Sequence, residues 1–113
     1  MKTAFGDLVL DWRGQRLRRG EAPKGGGGWL LIGEETADIL EQLIISDGHR
    51  LTGETLWRHV RGKLEAFDGA QMSRMIHDAN GVLAGFDCEL IVTDFAVRLA
   101  DVTPRPFLPK REV

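Results

Sequence analysis

The chain has one cysteine, Cys88, so it can form no internal disulfide, and a disulfide-stapled secreted scaffold is excluded. No apolar run approaches the ~18 residues that span a bilayer, which excludes a transmembrane helix as an expectation. Asp7 interrupts the apolar stretch near the N-terminus and no small-residue cleavage site follows it, so that stretch does not read as a secretion signal. The expected setting is reducing and cytoplasmic, with no membrane partner. An excess of positive charge is also missing. The 15 Lys and Arg stand against 17 Asp and Glu, a formal net charge of -2. A nucleic-acid binder that is basic all over has an obvious surplus of cations, so any such binding here needs a local patch.

Reactive groups are equally sparse. His49, His59 and His77 lie far apart, and no carboxylate or cysteine completes a metal-ligand spacing, so neither metal nor cofactor is expected. No nucleophile, base and acid can be grouped, and no enzyme activity is expected. Cys88 sits between Asp87 and Glu89, acids that raise a thiol pKa, which suits a buried structural cysteine better than a nucleophile. The glycines at 25–28 are followed by Trp29-Leu30 instead of the Lys-Ser or Lys-Thr of a phosphate loop, so they read as a connector.

What is present suits one globular domain: 113 residues, 42% hydrophobic and 28% charged. In residues 5–12, Leu8 and Leu10 alternate with Asp7, Val9 and Asp11 and predict a strand. Arg13-Gly14 offers a turn, and residues 15–19 return as a polar strand with Leu17 inward. Residues 29–32 suit another strand. Ala37, Ile39, Leu40, Leu43 and Ile44 then share one helical face from Glu34 to near Ser46, with Asp47-Gly48 as the stop. Thr52 is the expected N-cap of a second helix with Leu56, Trp57, Val60 and Leu64. A third helix follows Phe67-Asp68-Gly69, with Met72, Met75, Ile76, Ala79 and Leu83 on one face. Asn80-Gly81 is expected to shorten or kink it. Residues 89–92 and 95–99 form a second hairpin around Thr93-Asp94. Pro104, Pro106 and Pro109 mark residues 103–113 as a tail.

Several of these segments together resemble the winged helix-turn-helix effector domain of OmpR/PhoB-type bacterial response regulators. FGDLVLDWRGQRLRRG (residues 5–20) is similar to that family's opening hairpin. From Ile32 through GEETADILEQLIISDGHRLTGETLWRHV the family pattern can be laid on without a gap. Leu40 and Leu43 fall on the first-helix core, Gly48 on the turn glycine, Leu51-Thr52 on the entry to the second helix, and Leu56 and Val60 on its core. Ile91-Val92-Thr93 and Val97-Arg98-Leu99 resemble the two arms of the wing, so the likeness runs from Phe5 to about Leu99.

The resemblance implies an α+β fold: a winged helix-turn-helix with an N-terminal antiparallel β-sheet, three helices and a C-terminal β-hairpin wing. The expected domain is 1–102, with the sheet in 1–33, the three-helix core in 34–86, the wing hairpin in 87–100 and the Pro-rich tail in 103–113. It further implies a stand-alone DNA-binding or transcription-associated regulator without a receiver domain. The third helix would enter the major groove of double-stranded DNA and the wing the minor groove. RNA polymerase or another regulatory protein is an implied partner, and a homodimer is an implied assembly.

The departures from the family pattern fall on that helix and wing. The exposed face Ser73, Arg74, His77, Asp78 and Gly81 has one permanent cation. The wing has Thr93, Asp94, Phe95 and Ala96 where the family has an Arg beside glycines. Between residues 65 and 94, six acids face Arg74 alone.

The candidate groups each have two readings. Ser73, Arg74, His77 and Asp78 are placed to read base edges, or form an ordinary polar helix face. Arg58, Arg61 and Lys63, with His59, lie where a DNA backbone would approach, or are a solvated face, and Thr93 belongs to the wing. Arg13, Arg16, Arg18 and Arg19, with Lys24, make a basic hairpin patch for phosphate or an acidic partner, or a strand protected from edge pairing by charge. Trp12, Trp29 and Trp57 read as packing residues. Phe95, at the wing tip, suits protein contact or groove insertion, and Phe107-Leu108 in the tail suits partner binding or none. The rival to DNA binding is a winged helix repurposed for protein-protein contact through its acidic third-helix and wing surface. Arg16, Arg18, Arg58, Arg61 and Arg74 on one face would favour DNA, and their dispersal would favour the rival.

Overall fold

Strand alternation buries one face of the first sheet. Leu8, Leu10 and Leu17 are fully buried, while Val9, Arg16 and Arg18 beside them are only partly covered. The computed structural model, which describes residues 2–20 and 28–102, has strands β1 (Lys2–Phe5), β2 (Leu8–Asp11), β3 (Arg16–Arg19) and β4 (Leu30–Leu31) in one antiparallel sheet, ordered β1-β2-β3-β4. The expected strand at 5–12 is divided. Gly6, at φ 62, turns the chain so that Phe5 pairs with Leu8. Leu10 opposes Leu17, as the alternation requires. Lys24, the glycines at 25–27 and the tail at 103–113 lie outside the described residues.

Helix α1 (Glu34–Ile45) buries Ala37, Ile39, Leu40, Leu43 and Ile44, the whole face expected of it. It lies against both other helices and both sheets, so its apolar stripe is the centre of the core. Gly48, at φ 69, takes the left-handed conformation in the 3-10 turn Asp47–His49 that follows. Strand β5 (Arg50–Thr52) comes next, in the link between the first two helices, where no strand was expected. Three residues are too few to show an alternation, and β5 exists because a distant strand pairs with it.

Helix α2 (Gly53–Arg61) is capped by Thr52, whose Oγ1 accepts the Thr55 N–H at 3.1 Å. It stops earlier than the spacing of Leu56, Val60 and Leu64 suggests. Gly62 leaves the helix at φ 92, and Leu64, expected in the core, is fully exposed. Helix α3 (Gly69–Leu83) starts at Asp68, whose Oδ1 accepts the N–H groups of Ala70 (3.0 Å) and Gln71 (3.2 Å).

Asn80-Gly81 does not stop α3, because Asn80 has a tertiary task. Strand β6 (Cys88–Thr93) is an edge of the second sheet, ordered β5-β7-β6, with β7 (Ala96–Asp101) in the middle. Asn80 Nδ2 donates to the Leu90 carbonyl at 3.2 Å, and the Leu90 N–H donates to Asn80 Oδ1 at 2.6 Å. One side chain thus satisfies both backbone groups of a buried edge residue and pins α3 to the sheet. The chain is α+β, with three helices and two small antiparallel sheets among the described residues. None of these helices is long and apolar enough to cross a membrane.

Candidate functional site

The first turn of a helix leaves backbone N–H groups without intrahelical partners. In α2 the Gly53 N–H donates instead to the Phe95 carbonyl at 2.8 Å, which fastens the β6–β7 turn to the start of the helix. The two turn residues, Asp94 (φ 46) and Phe95 (φ 70), are both left-handed, and the Phe95 ring stands 90% exposed. Such a backbone is rare for a bulky residue.

Beside this ring lies an open hollow of about 710 Å³ between the start of α2, the first half of α3 and the β6–β7 hairpin. Its apolar lining comes from Phe67, Met72, Ile76, Val92, Phe95 and Val97. Ser73 and Glu54 are at its margin, and no Lys or Arg among the described residues lines it. Phe67 is held edge-on to Trp57, with ring centroids 5.7 Å apart. Trp57 is itself fixed by donating Nε1–H to the Glu65 carbonyl at 3.0 Å. The loop after α2 is therefore folded back onto its own helix, and that fold forms one wall of the hollow.

Ser73, Arg74, His77 and Asp78 are all exposed along the outer side of α3, with Ser73 bordering the hollow. Thr93 is exposed at the base of the turn, paired with Ala96. Arg58 and Lys63 are exposed, and neither makes an ion pair among the described residues. Arg61 turns inward: its Nη2 donates to Glu35 Oε2 at 2.8 Å, with Met75 Sδ at 3.7 Å, and its guanidinium stacks 5.6 Å from the Trp57 ring.

Most of the basic hairpin is likewise occupied within the fold. Arg16 Nε donates to Asp11 Oδ2 at 2.8 Å, and the Arg16 and Arg18 guanidinium groups lie 4.5 and 4.9 Å from the Trp29 ring. Arg18 also donates to the Gly20 carbonyl. Arg19 links parts of the chain far apart in sequence, donating to the Phe86 carbonyl at 2.7 Å and pairing with Asp7 (3.2 Å) and Asp101 (3.3 Å). Arg13 alone of this group is exposed without such a contact among the described residues.

Sequence reading missed two features. Arg50 and Arg98 face one another across β5 and β7, both exposed, and only strand pairing makes them neighbours. The hollow was also unforeseen, although Phe67 and Phe95, aromatic residues in otherwise polar turns, were its visible signal. Trp12, read as packing, is partly exposed and donates Nε1–H to Asp38 Oδ1 at 2.6 Å.

Asp11 and Cys88 are among the groups that titrate away from their ordinary values. Asp11 is lowered, first by the hydrogen bond from Arg16 and then by the Gly14 N–H. Burial pushes the Cys88 thiol up, against the opposing pull of Arg19, whose Nη1 lies 3.6 Å from Sγ. The sequence neighbours Asp87 and Glu89 are not what raises it. Burial dominates, with Asp101 and Asp7 adding to it. Among the described residues no three His, Cys, Asp or Glu side chains gather as a metal site. Compared with known proteins, the chain matches no family model and no curated sequence.

Proposed function

We propose that the chain is a winged helix used as a protein-binding module, with the α2–α3–hairpin face as its docking surface. The succession of sheet, α1, β5, α2, α3 and β6–β7 hairpin supports the winged-helix reading. The observation that carries the docking reading is the apolar hollow itself. A face that grips DNA aims cations at phosphates. Here the equivalent face is apolar, bordered by Glu54, and has an exposed aromatic, Phe95, at its tip with Asp94 beside it in the turn. Of the five arginines whose convergence would favour DNA, Arg16, Arg18 and Arg61 are engaged inside the fold. Apolar, aromatic-rich patches low in charge are what the centres of protein interfaces look like, and buried aromatic anchors there dominate binding energy.

A second reading rests on the exposed row Ser73, Arg74, His77 and Asp78 of α3, which suits the edges of bases in a major groove. Fluorescence anisotropy with random-sequence duplex DNA between about 50 and about 200 mM salt separates the two. The docking reading expects no steeply salt-dependent DNA binding. It also expects a photo-crosslinking residue at Ser73 to trap a protein in the source cells, with the adduct lost in Phe95→Asp. Strong DNA binding that salt and Arg74→Ala both weaken would overturn docking and establish DNA recognition.

A further inference from the structure

We infer that the segment seated in the hollow is an amphipathic helix whose apolar side chains are flanked by Lys or Arg. The inference rests on the docking reading above and specifies its partner. Gly69, Met72, Ser73 and Ile76 line one wall at the spacing of a single helical stripe, and from residue 69 to residue 76 that stripe is about 10 Å long. The other wall is side chains of the hairpin, Val92 and Val97, with Phe95 at the end. A trough two helical turns long accepts anchors at i, i+3 or i+4, and i+7.

Backbone hydrogen bonding decides the form of the occupant. An extended peptide is held by adding to a free strand edge, and on the β6 edge Asn80 takes both backbone groups of Leu90, so beside the hollow only Val92 is left there, too short a stretch to hold a strand. The Gly53 N–H and the Phe95 carbonyl satisfy one another, and Thr52 Oγ1 is occupied by Thr55. The lining thus offers a guest few main-chain partners. A segment entering an apolar trough must satisfy its own N–H and C=O groups, and a helix does so.

Charge decides the flanks. Glu54 borders the hollow, Asp94 precedes Phe95, and Asp68 sits between the lining residues Phe67 and Gly69. Residues 65–94 contain six acids against Arg74 alone. A second copy docking face to face would set these acids against themselves, whereas a cationic helix is drawn in.

The test uses the full chain and three labelled synthetic peptides of about 15 residues, long enough to form helix on binding. One has Leu at the anchor spacing and Lys elsewhere, one has Leu with Glu, and one has Ala with Lys. The Leu/Lys peptide is expected to bind, with amide shifts centred on Phe67, Met72, Ser73, Ile76, Val92 and Phe95. Glu54→Gln with Asp94→Asn is expected to weaken it about tenfold, and Phe95→Asp to abolish it. Equal binding of the Leu/Glu peptide removes the charge argument, and equal binding of the Ala/Lys peptide removes the apolar one; either result overturns the inference. If no peptide binds while the Ser73 crosslink still traps a Phe95-dependent partner, the helix inference falls and the docking reading stands. If duplex DNA produces the shifts instead, both fall.

Discussion

Replacing Phe95 by glycine separates a side chain held out for a partner from one that supports the fold. The β6–β7 turn has two central residues, Asp94 and Phe95, both with positive φ, and turns of that kind favour Asn-Gly or Asp-Gly. Holding a non-glycine residue there costs about 1–2 kcal/mol. Its ring is 90% exposed, so little burial is lost when it goes. Glycine removes the strain and adds about 0.5–1 kcal/mol of unfolded-state entropy. Phe95→Gly should therefore leave stability unchanged or raise it by about 1 kcal/mol, lifting Tm by up to about 5 °C. Phe95→Ala keeps the strained backbone and should change stability little. Urea and thermal unfolding followed by circular dichroism measure both variants, with equal m-values required for the comparison. Partner or peptide affinity should fall in both, so stability and binding part company. If Phe95→Gly loses more than about 1 kcal/mol, the ring packs against its own domain and its role as an anchor is refuted.

Three further outcomes follow from the geometry. Asn80→Ala strands the Leu90 N–H and C=O at the β6 edge and should cost about 1–3 kcal/mol in urea unfolding. A near-neutral result would show that water replaces the side chain. Asp11 is depressed in the folded state, so its contribution is present above its ordinary pKa and is lost as pH falls through the folded value. Asp11→Asn should lower stability at neutral pH and flatten its dependence on acid, and an unchanged slope would refute the Arg16 pairing as the cause. Cys88 is raised by burial, so as pH climbs past the ordinary thiol value the unfolded chain ionises first and stability declines. A thiol-reactive dye should modify the native protein slowly at mildly alkaline pH and rapidly in urea, and Cys88→Ala should weaken the alkaline decline.

The helical faces were legible because they repeat locally. Every apolar residue expected on α1 and α3 is buried, and Thr52 caps α2 as its position before the run suggested. Leu64 shows the limit of that argument. It keeps the spacing of Leu56 and Val60, but Gly62 has already left the helix and the loop folds onto Trp57. Asn80 shows the reverse, a residue poor for a helix interior that is retained because it bonds a strand ten residues away. The candidate site was only half visible. Ser73, Arg74, His77 and Asp78 are exposed on α3 as their spacing required, whereas Arg16, Arg18 and Arg61 looked like surface charge until their partners were known.

By itself, the amino-acid order determined whatever depends on a few neighbouring residues: helix and strand periods, the Thr52 and Asp68 caps, and the turn around Asp94. Tertiary structure alone decided which charges remain available and where the apolar surface opens. Arg61 meets Glu35 across 26 positions, and Arg19 meets Phe86 across 67. Phe67, Met72, Val92 and Phe95 share one hollow only after α2, α3 and the hairpin have packed. The physical reason is range. Hydrogen-bonded turns and side-chain periods act within a helical turn or a strand pair, while the sign and polarity of a surface are set by contacts between distant parts of the chain.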